Sequence, residues 1–240
     1  MKVLWKGIYP ALTTKFKKDF AIDYEAFMSN VDFQIKSGVD GIILGGTLGE
    51  ASALIDDEKS LLTRATKEHV DGKLPVIVNI AEQTTMGAIA AAKLAEQDGA
   101  DGLMMLPPMR YKATDDETVA YFKAIANSTD LEIMIYNNPI DYKINITLDM
   151  FDSLAACQNI VAVKESSRDI SNITRMINQF GDRFQLMCGV DTLAVESLLM
   201  GASGWVAGLV CAFPRETVAI YRLIKAGRVA EAIAIYRWFL

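Results

Sequence analysis

Short apolar strand patterns and amphipathic helical patterns alternate along this chain from end to end, and no other feature limits its fold so strongly. The strand patterns cover residues 8–14, 41–44, 75–80, 102–106, 132–136, 160–164, 184–188 and 205–209. Helical patterns fall between them at 24–36, 57–70, 86–97, 117–127, 148–155, 170–179 and 193–200, with two more at 218–225 and 230–240. Strands each followed by a helix, at intervals of roughly 30 residues, are what βαβ units of a parallel sheet require. Helix starts carry capping residues, Asp23, Thr84-Thr85 and Thr147. The repeated phrases Gly38-Val39-Asp40-Gly41 and Gly99-Ala100-Asp101-Gly102 close helices with glycine and lead into the second and fourth strands. No linker or low-complexity segment interrupts the alternation. The expectation is one α/β domain over residues 1–240, a (β/α)8 TIM barrel. A doubly wound open sheet is the alternative, because periodicity cannot prove closure.

Composition removes several classes of function. With 51% hydrophobic and 22% charged residues the chain reads as an ordinary globular protein. A formal net charge of −6 offers no basic surface for nucleic acid. No apolar run reaches the ~20 residues needed to cross a bilayer, so no membrane partner is expected. The opening Met1-Lys2-Val3-Leu4-Trp5-Lys6 does not read as a secretory signal. Cys157, Cys188 and Cys211 are odd in number and lack metal-ligand spacing, and are expected to be reduced thiols of a cytoplasmic protein. The single histidine, His69, reads as a solvated helix-face residue. It leaves no multi-histidine zinc site and disfavours a Ser-His-Asp triad.

In a barrel, functional side chains belong at the carboxyl ends of strands. Lys164 closes the apolar run 159–163 and is followed by Glu165-Ser166-Ser167. Partial desolvation there would lower the amine's pKa and free its lone pair to attack a keto group. The plainer reading is a surface lysine after a strand. After the second strand comes Gly45-Gly46-Thr47-Leu48-Gly49-Glu50, whose glycines let backbone amides approach an anion while Thr47 adds a hydroxyl. The fifth strand ends in Tyr136-Asn137-Asn138-Pro139, where a tyrosine could relay protons or simply pack. The seventh runs into Cys188-Gly189-Val190-Asp191.

In this order, with Gly7-Ile8-Tyr9-Pro10-Ala11-Leu12-Thr13-Thr14 before them and Gly204-Trp205-Val206-Ala207 after, these residues resemble the dihydrodipicolinate synthase/N-acetylneuraminate lyase family of class I aldolase-like enzymes. The resemblance implies a Schiff base between Lys164 and a small 2-oxo acid, with Tyr136 shuttling protons and Thr47 helping to hold the substrate carboxylate. It implies no metal and no organic cofactor, and a homo-oligomer, dimer or tetramer. The expected binding set is Thr47, Leu48, Gly46, Ser167, Asp141, Val206, Gly189 and Tyr111.

Departures from the family pattern shape the expected substrate. Lysine-pathway synthases usually carry an arginine two residues after the Tyr-Asn-x-Pro motif; here that place is Asp141, which would repel a dicarboxylic substrate. The motif's second threonine is Leu48, which keeps only its amide. The second relay tyrosine expected near Pro107-Pro108 is replaced by Met109, with Tyr111 nearby as a substitute. Ser166 and Ser167 either suit a hydroxylated substrate or cap the next helix. The C-terminal helical extension usual in the family is expected to be short or missing. Together these features resemble most the 1-pyrroline-4-hydroxy-2-carboxylate deaminases, whose product would be 2,5-dioxopentanoate. The alternatives are dihydrodipicolinate synthase (4-hydroxy-tetrahydrodipicolinate synthase), an aldolase of 2-keto-3-deoxy-sugar acids or 4-hydroxy-2-oxoglutarate, and a non-catalytic keto-acid-binding paralogue.

Overall fold

Strand residues alternate between two apolar environments, and this alternation sets what faces the centre of the molecule. In the computed structural model, which describes residues 2–240, the strands are β1 (Gly7–Pro10), β2 (Ile42–Leu44), β3 (Val76–Ile80), β4 (Gly102–Met105), β5 (Glu132–Asn137), β6 (Ile160–Glu165), β7 (Gln185–Cys188) and β8 (Gly204–Ala207). All pair in parallel, in the order β1-β8-β7-β6-β5-β4-β3-β2. Tyr9, Met104, Met134, Tyr136, Ala162, Met187 and Val206 fill the interior of the ring. Their strand neighbours Ile8, Leu103, Ile135, Val163, Leu186 and Trp205 turn outward into the layer of helices. The ring closes between β1 and β2 by one parallel bridge, Ala11 to Ile43, with the Leu12 N–H donating to the Ile43 carbonyl at 3.0 Å. The expected TIM barrel is therefore the fold, and the open-sheet alternative falls.

The helices are α1 (Tyr24–Ser37), α2 (Asp56–Val70), α3 (Thr85–Gln97), α4 (Asp115–Ala126), α5 (Pro139–Tyr142), α6 (Leu148–Leu154), α7 (Ser171–Phe180), α8 (Ala194–Leu199), α9 (Pro214–Lys225) and α10 (Val229–Phe239). The expected caps form: Asp23 accepts from the Ala26 N–H, Thr84 from Gly87 and Thr147 from Met150. Gly38 and Gly99 take left-handed φ of 85° and 84° at the helix ends. The repeated Gly-x-Asp-Gly phrase proves to be a staple at the amino-terminal face. Asp40 Oδ2 accepts from the Ile8 N–H and Asp101 Oδ2 from the Val76 N–H, both at 2.8 Å. Each carboxylate ahead of one strand thus fixes the start of the preceding strand, on the face of a barrel that serves stability.

The expected first and last strands run too far. The chain leaves the sheet after Pro10, which has no N–H for a ladder. After β8, Leu209–Cys211 winds into a 3-10 turn because the Leu209 N–H is taken by Asp191 Oδ2 at 3.2 Å. The short helix α5 is absent from the sequence expectation. Pro139 opens it and Asn138 caps it by accepting from the Asp141 N–H. Among the described residues no helix is long and apolar enough to cross a membrane.

Candidate active site

Strand parity carries Lys164 to the centre of the barrel. It continues the inward alternation of Ala162, and its register partners are Tyr136 on β5 and Met187 on β7, both interior residues. The residue is only 7% exposed, which removes the surface-lysine reading. Burial holds the amine down to a pKa of about 8, against the opposing charges of Asp191 and Cys188. Its Nζ lies 3.7 Å from the centroid of the Tyr136 ring, whose face favours the cation. Desolvation outweighs these attractions, so a large fraction of the amine is neutral near pH 8.

The end of β6 is pinned from several sides. Buried Glu165 accepts from Asn137 Nδ2 at 3.1 Å, Asn172 Nδ2 at 2.7 Å and the Ser167 N–H at 2.6 Å. Asn137 in turn accepts from the Ile146 N–H at 3.1 Å. One carboxylate thus ties β5, β6 and α7 together directly behind the lysine. In front of it, a Cβ on Gly189 would lie 2.8 Å from Cε and Cγ of Lys164 and closer still to Ser166 Oγ. Only glycine leaves space there for the lysine stem.

Tyr136 is buried, and burial raises its pKa while neighbouring hydrogen-bonding groups of Asn138, Ser166 and Tyr142 oppose the rise. Asn138 Nδ2 donates to its hydroxyl at 3.2 Å and to Asp141 Oδ2 at 2.7 Å. The Tyr142 ring packs edge-on against Tyr136 with centroids 5.4 Å apart, and its hydroxyl shares a 2.7 Å hydrogen bond with Thr47 Oγ1. Thr47, Leu48 and Gly49 form a 3-10 turn whose own bonding starts at the Gly49 N–H, donating to Gly46. The Thr47 and Leu48 amides precede that bond at the turn's amino end, where an anion is favoured.

The remaining expected residues divide. Gly189 stands against the Lys164 stem, Gly46 precedes the 3-10 turn at Thr47, and Val206 lines the barrel interior in one cluster with Tyr136. Ser167 Oγ accepts from the Asp169 N–H at 3.2 Å in the turn ahead of α7, which itself begins at Ser171 with no side-chain cap. Ser166 Oγ is buried, meets no protein partner of good geometry and faces Gly189 beside Tyr136. Tyr111 is 77% exposed and lies under the Arg110 guanidinium. Asp141 is exposed, with its carboxylate partly engaged by Asn138. Two residues carry no role in the sequence reading. Tyr142 is one, and Asp191 is the other. Burial raises the Asp191 pKa, and its carboxylate accepts from Trp205 Nε1 at 3.0 Å. A cleft of about 530 Å³ opens beside the site, from Thr47, Met109 and Tyr142 into the space between α2 and α3. Lys164 is not among its lining residues, so the cleft is a neighbour of the buried amine and not its pocket.

Comparison with known proteins places this geometry. A model of the Dihydrodipicolinate synthetase family matches residues 4–239. The 4-hydroxy-tetrahydrodipicolinate synthase of Clostridium perfringens is 34% identical over 229 residues, 95% of this chain and 78% of that protein. The crystal structure of dihydrodipicolinate synthase from Aquifex aeolicus superposes with a TM-score of 0.93 at 30% identity, covering 97% of this chain and 80% of the other. CdNal from Clostridium difficile, solved in complex with mannosamine, gives a TM-score of 0.92 at 26% identity over the same shares. These findings overturn the deaminase expectation: the curated relative is named a synthase, as in the first alternative. The deaminase reading weighs Asp141 and a few strand-end phrases above the similarity of the whole chain.

Proposed function

The chain belongs to the dihydrodipicolinate synthetase family, a class I aldolase-like lyase family using a lysine Schiff base, and from that membership we propose that it condenses pyruvate with an aldehyde, as a 4-hydroxy-tetrahydrodipicolinate synthase. The observation that carries the proposal is the Lys164 amine, buried at the barrel mouth with its pKa lowered to about 8 by burial. Nζ attacks C2 of pyruvate, water leaves, and the protonated imine accepts the C3–H electron pair as Tyr136 takes up the proton, giving an enamine. The enamine carbon bonds to the aldehyde carbon, whose oxygen takes up a proton to become a hydroxyl. The acceptor's own amine then attacks C2 and displaces the lysine, closing the ring, or, for an acceptor without an amine, water hydrolyses the imine and returns the lysine. Tyr136 carries protons in these steps from its place against the amine. The Thr47 and Leu48 amides hold the pyruvate carboxylate. Ser166, rather than Ser167, offers the hydroxyl nearest the bound acid.

The acceptor follows from the relatives' name and from Asp141. Aspartate semialdehyde is the acceptor of the synthase reaction, and a carboxylate at Asp141 leaves its carboxylate without a cationic partner there. The same observation favours a second reading, an aldolase whose acceptor is a hydroxylated aldehyde. Both are tested by giving purified protein pyruvate with each aldehyde in turn and following pyruvate loss. The synthase reading expects turnover of aspartate semialdehyde, with KM falling roughly tenfold, about 1.4 kcal/mol, in Asp141→Arg. A higher kcat/KM for hydroxylated aldehydes selects the second reading. Pyruvate left unconsumed with every aldehyde would reject both.

A further inference from the structure

We propose that the proton relay serving Lys164 is completed inside a single chain by Tyr142, which links buried Tyr136 to Thr47 at the surface. The inference rests on the Schiff-base reading above and adds to it the path by which protons enter and leave. The short helix α5 makes the path possible. Pro139 fixes its first turn, Asn138 caps it, and the Tyr142 N–H donates to the Asn138 carbonyl at 3.0 Å. Left-handed Lys143, at φ 63°, then ends the helix at once. Tyr142 is thereby delivered against Tyr136, the ring centroids 5.4 Å apart and near-perpendicular and the two phenols in hydrogen-bonding contact, with its own hydroxyl 2.7 Å from Thr47 Oγ1.

Exposure increases along this line. Tyr136 is buried, Tyr142 is half-buried and Thr47 is exposed. Each hydroxyl can accept one proton and release another, so a proton taken from the reacting carbon or the carbinolamine passes Tyr136, Tyr142 and Thr47 with no net change in any of them. Burial pushes the Tyr142 phenol up to about 12, which keeps it protonated and able to donate at neutral pH. The other candidates do not fill this place. Met109 lines the neighbouring cleft but has no exchangeable proton, and Tyr111 is 77% exposed in this chain with its ring under Arg110. Tyr142 acts through Tyr136 and does not itself touch the reacting atoms, which makes it a positioning and proton-passing residue.

The test uses exchange of the pyruvate methyl hydrogens for deuterium, which reads imine and enamine formation without an aldehyde, alongside borohydride trapping at Lys164. Tyr142→Phe is expected to slow exchange roughly 10²-fold, leave the KM for pyruvate within about twofold, and still give full trapping on long incubation. Adding Tyr136→Phe to it should slow exchange little further, because two members of one relay are not additive. Thr47→Val should slow exchange in the same direction and guards against a folding defect in the tyrosine variant. Exchange in Tyr142→Phe within twofold of the parent, or a loss confined to Tyr111→Phe, would overturn the relay while leaving the Schiff base intact. A parent protein that neither exchanges pyruvate nor traps at Lys164 would reject the Schiff-base reading and the relay with it.

Discussion

At the scale of one residue, Lys164 is a site where burial costs stability. Burial favours the neutral amine, while Asp191, Cys188 and the ring face of Tyr136 favour the cation, and burial prevails. A shift from 10.5 to about 8 corresponds to a penalty on the order of 3 kcal/mol for the charged form. The folded protein releases this proton near pH 8, whereas the unfolded chain holds it until about 10.5. The penalty is therefore fully present below pH 8 and fades as pH rises towards 10.5. Lys164→Met should raise unfolding stability by about 3 kcal/mol at pH 7, with little gain near pH 10.5, while activity disappears. Urea denaturation at the two pH values checks this. An equal gain at both would mean that the amine is not destabilised by burial.

At the scale of elements, the site depends on how closely the ends of β6 and β7 approach each other. Gly189 is the contact point, since an added methyl group would press on the Lys164 stem and on Ser166. Gly189→Ala should keep the barrel, by circular dichroism, while slowing single-turnover imine formation roughly 10²-fold, as small misplacements of a reacting group do. A parental rate would show that the lysine stem has more freedom than this contact allows. The same geometry explains what the sequence could and could not reveal. The placement of Lys164, Tyr136 and Thr47 at one end of the barrel was legible because each ends or follows a strand pattern, and such ends meet in any parallel barrel. Tyr142 was not, because the four residues of α5 are too few for a helical period to declare itself. Asp191 was hidden because its partners Trp205 and Leu209 lie 14 and 18 residues further on, and only the fold makes them neighbours. Ser166 and Ser167 could not be told apart, since strand alternation ends at Glu165 and the backbone turn decides which hydroxyl points inward.

At the scale of the whole molecule, the barrel divides its labour between two faces. The amino-terminal face carries the Asp40 and Asp101 staples that hold strand starts in register. The carboxyl-terminal face carries the chemistry, gathered from β2, β5, β6 and β7 onto one interior amine. The last helix also reaches this face: the Tyr236 hydroxyl of α10 donates to the Asp191 carbonyl at 2.7 Å and accepts from the Ala194 N–H at 3.2 Å. The segment after β7 is thus held by an element far from it in sequence. What all these contacts converge on is one buried amine, and one measurement tests most directly the proposal that it is the nucleophile. Protein incubated with pyruvate and borohydride is digested and mapped by mass. The account requires one reduced pyruvate adduct, on Lys164, forming faster as pH rises towards 8 and absent from Lys164→Met. An adduct on another lysine, or none at all, would contradict it.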